Sequence, residues 1–83
     1  PMPRIPRDIS GQDLLAILKR FGFNVTRQTG SHIRLTYQHH GQAHHLTVPN
    51  HPYIKIGTLN NILNGLGQFL GKSKDELVKE MFS

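Results

Sequence analysis

Eighty-three residues with ten Lys and Arg, five Asp and Glu and no Cys make a small basic chain of formal net charge +5. A chain this short buries only roughly 60% of its unfolded surface, which leaves no room for a second core, and without thiols it has no disulfide framework, cysteine nucleophile or cysteine-ligated zinc. The longest apolar run, Leu14 to Leu18, falls far short of the ~20 residues that span a bilayer, and no leader-like segment opens the chain, so the expectation is a cytoplasmic protein with an anionic partner and no membrane.

Pro1 ahead of Met2 reads as a residue preceding the native start. Residues 1–9 are taken as an N-terminal extension and residues 10–83 as one folded domain. Ser10-Gly11-Gln12-Asp13 is a capping box, and Leu14, Leu15, Ile17, Leu18 and Phe21 follow at helical spacing. A first amphipathic helix is therefore predicted over about Gly11 to Phe21, closed by Gly22 in a left-handed conformation.

Three strands follow. The first runs from about Phe23 to Gln28, with Phe23 and Val25 alternating against Asn24 and Thr26, and ends in a turn at Thr29-Gly30. In the second, about His32 to Gln38, Ile33, Leu35 and Tyr37 point one way while His32, Arg34 and Thr36 point the other. A polar loop around His39 to Gln42 leads to a third strand, about His44 to Val48, with Leu46 and Val48 inward and His45 and Thr47 outward. Antiparallel sheets commonly bury one face only, so His32, Arg34, Thr36, His45 and Thr47 are expected together on an open face.

Pro49-Asn50-His51-Pro52 cannot continue a ladder. A second helix from about Gly57 carries Leu59, Ile62, Leu63 and Leu66 on one stripe, and the glycines at 65, 67 and 71 are expected to break the chain again. Ser73-Lys74-Asp75-Glu76 is a second capping box, opening a last helix with Leu77, Val78, Met81 and Phe82 inward. The predicted class is α+β in the order α-β-β-β-α-α, a three-stranded antiparallel sheet with helices on one face.

Between Leu14 and Lys74 the chain has no Asp or Glu, so chemistry in that span must run on imidazoles, cations, hydroxyls and backbone amides. Cleavage of RNA by its own 2′-hydroxyl needs that proton removed, the leaving 5′-oxygen protonated and the phosphorane charge stabilised. His32 suits either proton transfer and Arg34 suits the charge. On spacing alone, however, a surface histidine without special role is the better reading of His32. Gly30 and Ser31 offer backbone amides and a hydroxyl to a phosphate, although a plain hairpin corner would use the same glycine.

Lys55, with His51 upstream, precedes the second helix, whose free first amides attract phosphate. Tyr53 is available to stack on a base, whereas Tyr37 falls on the apolar face and reads as core. His39-His40 and His44-His45 flank one loop and could offer an imidazole pair, but no third ligand is near, so no functional metal and no cofactor are expected.

Taken together, Ser10-Gly11 with the helix through Phe21-Gly22-Phe23, then Gly30-Ser31-His32, Thr47-Val48-Pro49 with His51, Gly57-Thr58-Leu59 and Ile62-Leu63 resemble the HicA (YcfA-like) family of mRNA interferase toxins. The resemblance covers about Ile5 to Leu66 and implies a double-stranded-RNA-binding-domain-like fold. It further implies a type II toxin that is an endoribonuclease cleaving mRNA, with His32 catalytic; the acid-free residues around His32 add the expectation that cleavage is metal-independent, with Gly30, Ser31, Arg34 and Lys55 contacting RNA. A HicB-type antitoxin covering His32 is the implied protein partner. Two positions depart from the family pattern: Asn50 stands where many members have a basic residue, and Ile56 where many have proline. The alternative is a non-catalytic RNA-binding module of double-stranded-RNA-binding-domain type. It is disfavoured by the single cation, Lys55, in the stretch that opens the second helix.

Overall fold

The computed structural model describes residues 5–82; the reading of Pro1 lies outside them. The elements are α1 (Gly11–Arg20), β1 (Asn24–Thr29), β2 (His32–His39), β3 (Gln42–Pro49), α2 (Ile56–Leu70) and α3 (Lys74–Phe82). The strands form one antiparallel sheet in the order β1-β2-β3, so the α-β-β-β-α-α arrangement read from periodicity is the one observed.

Local chemistry starts and stops these elements where the sequence marks them. The Ser10 hydroxyl accepts the Asp13 amide at 3.0 Å while the Asp13 carboxylate accepts the Ser10 amide at 3.1 Å, a complete capping box. At the other end of α1 the Gly22 amide reaches the Lys19 carbonyl and the Phe23 amide the Leu18 carbonyl, both at 3.1 Å, with Gly22 at φ 97°. Ser73 and Glu76 repeat the box ahead of α3, and the hydrogen bonds from Ser73 hold the Glu76 carboxyl below the usual glutamate range.

The helices cover one face of the sheet. Ile33 and Leu35 from β2 and Leu46 and Val48 from β3 meet Leu14, Leu18, Leu59, Leu63, Leu66, Leu77 and Val78, all buried. Each fully buried leucine contributes about 1.5–3 kcal/mol over leaving it in water. Phe23, buried just ahead of β1, stacks on Tyr37 at 5.1 Å between centroids, which agrees with the packing role expected for Tyr37.

The structure departs from the sequence reading in three places. The third strand begins at Gln42, not His44, because His40 (φ 50°) and Gly41 (φ 77°) make a two-residue turn that lets the ladder run from His39↔Gln42. Val25 is not core: it is 41% exposed, and every residue of β1 is exposed, because β1 is an edge strand with a bulge between Val25 and Arg27. Nor do the glycines at 65 and 67 break α2, which runs unbroken to Leu70 and ends at Gly71 in a left-handed cap. Burial of Leu59, Leu63 and Leu66 outweighs the roughly 1 kcal/mol that each helical glycine costs.

Candidate nucleic-acid-cleaving site

β2 and β3 pair in the register His32↔Pro49, Arg34↔Thr47 and Thr36↔His45, which puts these side chains on the sheet face the helices leave uncovered. The Gly30-Ser31 corner that delivers His32 is a two-residue hairpin loop with Gly30 at φ 57°, the pattern of a type II′ turn. Ser31 then contributes through its backbone: its carbonyl accepts the Asn50 amide at 2.6 Å. The residues immediately preceding His32 and His51 are thus bonded to each other.

The segment after β3 is fastened to α1. The Gly11 amide donates to the His51 carbonyl at 2.9 Å, the Gln12 side-chain amide to the Asn50 side-chain oxygen at 2.9 Å, and the Ile54 amide to the Ile9 carbonyl at 2.9 Å. Gly11 makes the approach possible, since a Cβ there would collide with the Pro49 carbonyl oxygen and lie 2.9 Å from Asn50 Cα. With the segment held this way, His51, Tyr53 and Lys55 come round to the His32 end of the sheet.

The outcome is an open cleft of about 390 Å³ lined by His32, Thr47, Pro49, His51, Tyr53, Lys55 and Thr58. Its polar groups are imidazoles, hydroxyls and one ammonium, with no carboxylate. Lys55 is the N-cap of α2 and makes no side-chain cap, and the first turn holds no acidic residue, so the positive end of the helix dipole faces outward uncompensated. Tyr53 is 70% exposed at the rim. Such a cleft suits a phosphodiester: cationic and amide donors for the non-bridging oxygens, an aromatic ring for a base and imidazole for proton transfer.

Of the expected site residues, His32 and Lys55 therefore meet in one cleft, joined by His51, while Gly30 and Ser31 form the turn behind it. Arg34 does not line the cleft. It lies two residues along β2, about 7 Å, beside the cleft residue Thr47. Arg27 was missed by the sequence reading. The bulge after Val25 shifts the register so that Arg27 pairs with Arg34, whereas simple alternation would have turned it inward. Thr58 was missed as well; it becomes visible only once Lys55 is known to be the cap, which makes Thr58 the third residue of α2.

The histidine cluster of the β2-β3 hairpin divides between the two faces. His44 stacks on Phe69 of α2 at 4.6 Å, and burial, reinforced by the neighbouring His45, lowers its pKa from the ordinary 6.5. His45 lies on the open face, where Thr26, Thr36 and His45 form a hydrogen-bonded chain with steps of 2.9 and 2.8 Å. Among the described residues, no group of three or more His, Cys, Asp or Glu is placed to hold a metal ion. None of the described helices is long and apolar enough to cross a membrane.

The fold and the cleft define a small basic α+β protein whose open cleft carries histidines, hydroxyls and a lysine and no carboxylate. The family model for the HicA toxin of bacterial toxin–antitoxin systems matches residues 11–68, and the chain belongs to that family. No curated protein and no solved structure matches it. The matched span runs from the α1 clamp through the whole sheet and most of α2, and so contains every residue lining the cleft. Membership makes the chain the toxin member of such a system, with an antitoxin as its partner.

Proposed function

We propose that this protein is a metal-independent endoribonuclease that cleaves mRNA, with His32 as the catalytic group and a HicB-type antitoxin that silences it by covering the cleft. The observation that carries this reading is the convergence of His32, Lys55 and the uncapped end of α2 on one cleft that has no carboxylate. Lys55 and the first amides of α2 bind the phosphate, and Arg34 with Arg27 extends the cationic track across the sheet. Tyr53 supports a base by stacking. His32, exposed at the start of β2, reaches the ribose or the leaving oxygen and moves a proton there. Hard divalent cations favour clusters of oxygen ligands with carboxylates among them, and this donor set supplies none.

Purified protein is expected to cleave single-stranded RNA in the presence of EDTA. His32→Ala should abolish cleavage while leaving the circular dichroism spectrum intact, because His32 is exposed and replacing it removes no buried contact. Undiminished cleavage by that variant would sink the assignment. The non-catalytic RNA-binding reading is weaker because the first turn of α2, Ile56-Gly57-Thr58, is uncharged, leaving Lys55 alone to reach across a duplex.

A further inference from the structure

Cleavage by transesterification needs two proton transfers on opposite sides of one phosphorus, and His32 supplies only one of them. The geometry points to His51 as the second proton-transfer group of the cleft, an inference that rests on the ribonuclease reading above. Of the side chains that line the cleft, only those of His32 and His51 are of the type that exchanges protons near neutrality; Thr47, Pro49, Tyr53, Lys55 and Thr58 are not of that type.

Backbone geometry keeps the pair together. Ser31 and Asn50, which precede the two histidines, are joined by the 2.6 Å hydrogen bond, and the His51 carbonyl is tied to Gly11 at 2.9 Å. The position of His51 is thus set by the ladder on one side and by α1 on the other, not by a free loop. His45, the other open-face histidine that could serve, pairs with Thr36, four residues along β2 from His32 or about 13 Å. Its Nδ1 is already engaged by the Thr36 hydroxyl. One phosphate cannot span that separation, and His45 does not line the cleft.

One imidazole, neutral, takes the proton of the ribose 2′-hydroxyl as the 2′-oxygen bonds to phosphorus. The bond from phosphorus to the 5′-oxygen breaks with its electron pair on that oxygen, and the other imidazole, protonated, gives it a proton. The products are a 2′,3′-cyclic phosphate and a 5′-hydroxyl, and the two histidines finish with their protonation states exchanged.

The test compares wild type, His32→Ala and His51→Ala in single-turnover cleavage of a short RNA across pH. His51→Ala should cleave at least ~10²-fold more slowly, the low end of what a general acid or base contributes. It should bind an uncleavable 2′-deoxy analogue within a few-fold of wild type and lose one limb of a bell-shaped pH profile. The fold tolerates the change, because the side chain is exposed and the bond to Gly11 uses the backbone. With a substrate carrying sulfur in place of the 5′-bridging oxygen, the leaving group needs no proton, so one of the two histidine variants should recover most of its rate and the other should not. If His32→Ala is dead while His51→Ala keeps the wild-type rate and both pH limbs, the pairing is wrong and the ribonuclease reading stands. Rescue of neither variant by the sulfur substrate also overturns it. If wild type cleaves no RNA, the ribonuclease reading itself falls.

Discussion

Replacing Gly11 by alanine probes how the His51 segment is held against α1. The added methyl group would collide with the Pro49 carbonyl oxygen and crowd Asn50 Cα, both backbone atoms that cannot swing aside as a side-chain end can. Overpacking of this kind costs about 1–3 kcal/mol, and losing the buried bond from the Gly11 amide to the His51 carbonyl adds about 0.5–1.5 kcal/mol. A total near 3 kcal/mol would lower the melting temperature of a domain this size by roughly 12–24 °C. The natural comparison is Gly65→Ala in mid-α2, where a Cβ meets nothing within 4 Å and the same substitution should stabilise by about 0.5–1 kcal/mol. Gly67→Ala, only two residues further on, should destabilise again because a Cβ there lies 2.6 Å from the Lys72 carbonyl oxygen. Thermal melts followed by circular dichroism read all three. RNA cleavage measured well below each midpoint should fall for Gly11→Ala and hold for Gly65→Ala and Gly67→Ala. A Gly11→Ala protein with the wild-type melting temperature and activity would refute the clamp.

Lys55→Met should weaken RNA binding at every sequence and flatten the dependence of log affinity on log salt by about 0.7, the share of one phosphate contact on a single strand. Arg27→Ala and Arg34→Ala should act alike, and a fluorescence-anisotropy salt series distinguishes this from loss of a salt-insensitive contact. Tyr53→Ala should cost about 1–3 kcal/mol of binding to unpaired RNA with little change in that slope, as expected for a lost stacking platform. Stability should fall on acidification through His44. Its pKa is lowered in the folded state, so the stabilisation is complete above the unfolded value of 6.5 and is lost as pH falls from there through the folded value, the unfolded chain taking up the proton first. Urea titrations at pH 7.5 and 5.5 should show a larger drop for wild type than for His44→Phe, which keeps a ring against Phe69.

The readable parts of this fold were those governed by local rules. Capping boxes at Ser10 and Ser73, the left-handed Gly22 and the alternation of β2 and β3 are each decided within a few residues, and all appear as expected. What escaped depends on partners distant in sequence. The bulge that turns Arg27 outward lies on β1, an edge strand that pairs only with β2, and shows itself only in that pairing. The helix running through Gly65 and Gly67 is held by burial against the sheet and α3, which outweighs propensity. Within the site, His32 and Lys55 stood out as single residues. That His51 shares their cleft while His45 does not was decided by the bonds of Ser31 to Asn50 and of Gly11 to His51, which no spacing reveals.

That same backbone clamp ties the cleft into the fold. Its walls are a sheet ladder, a helix end and a segment bonded to a second helix, so its backbone is held by the same bonds that build the fold. On the function proposed above, silencing is then imposed from outside, by an antitoxin that roofs the cleft. A site blocked that way would be stored assembled and would regain its competence when the cover leaves, so the lifetime of the cover would set the delay.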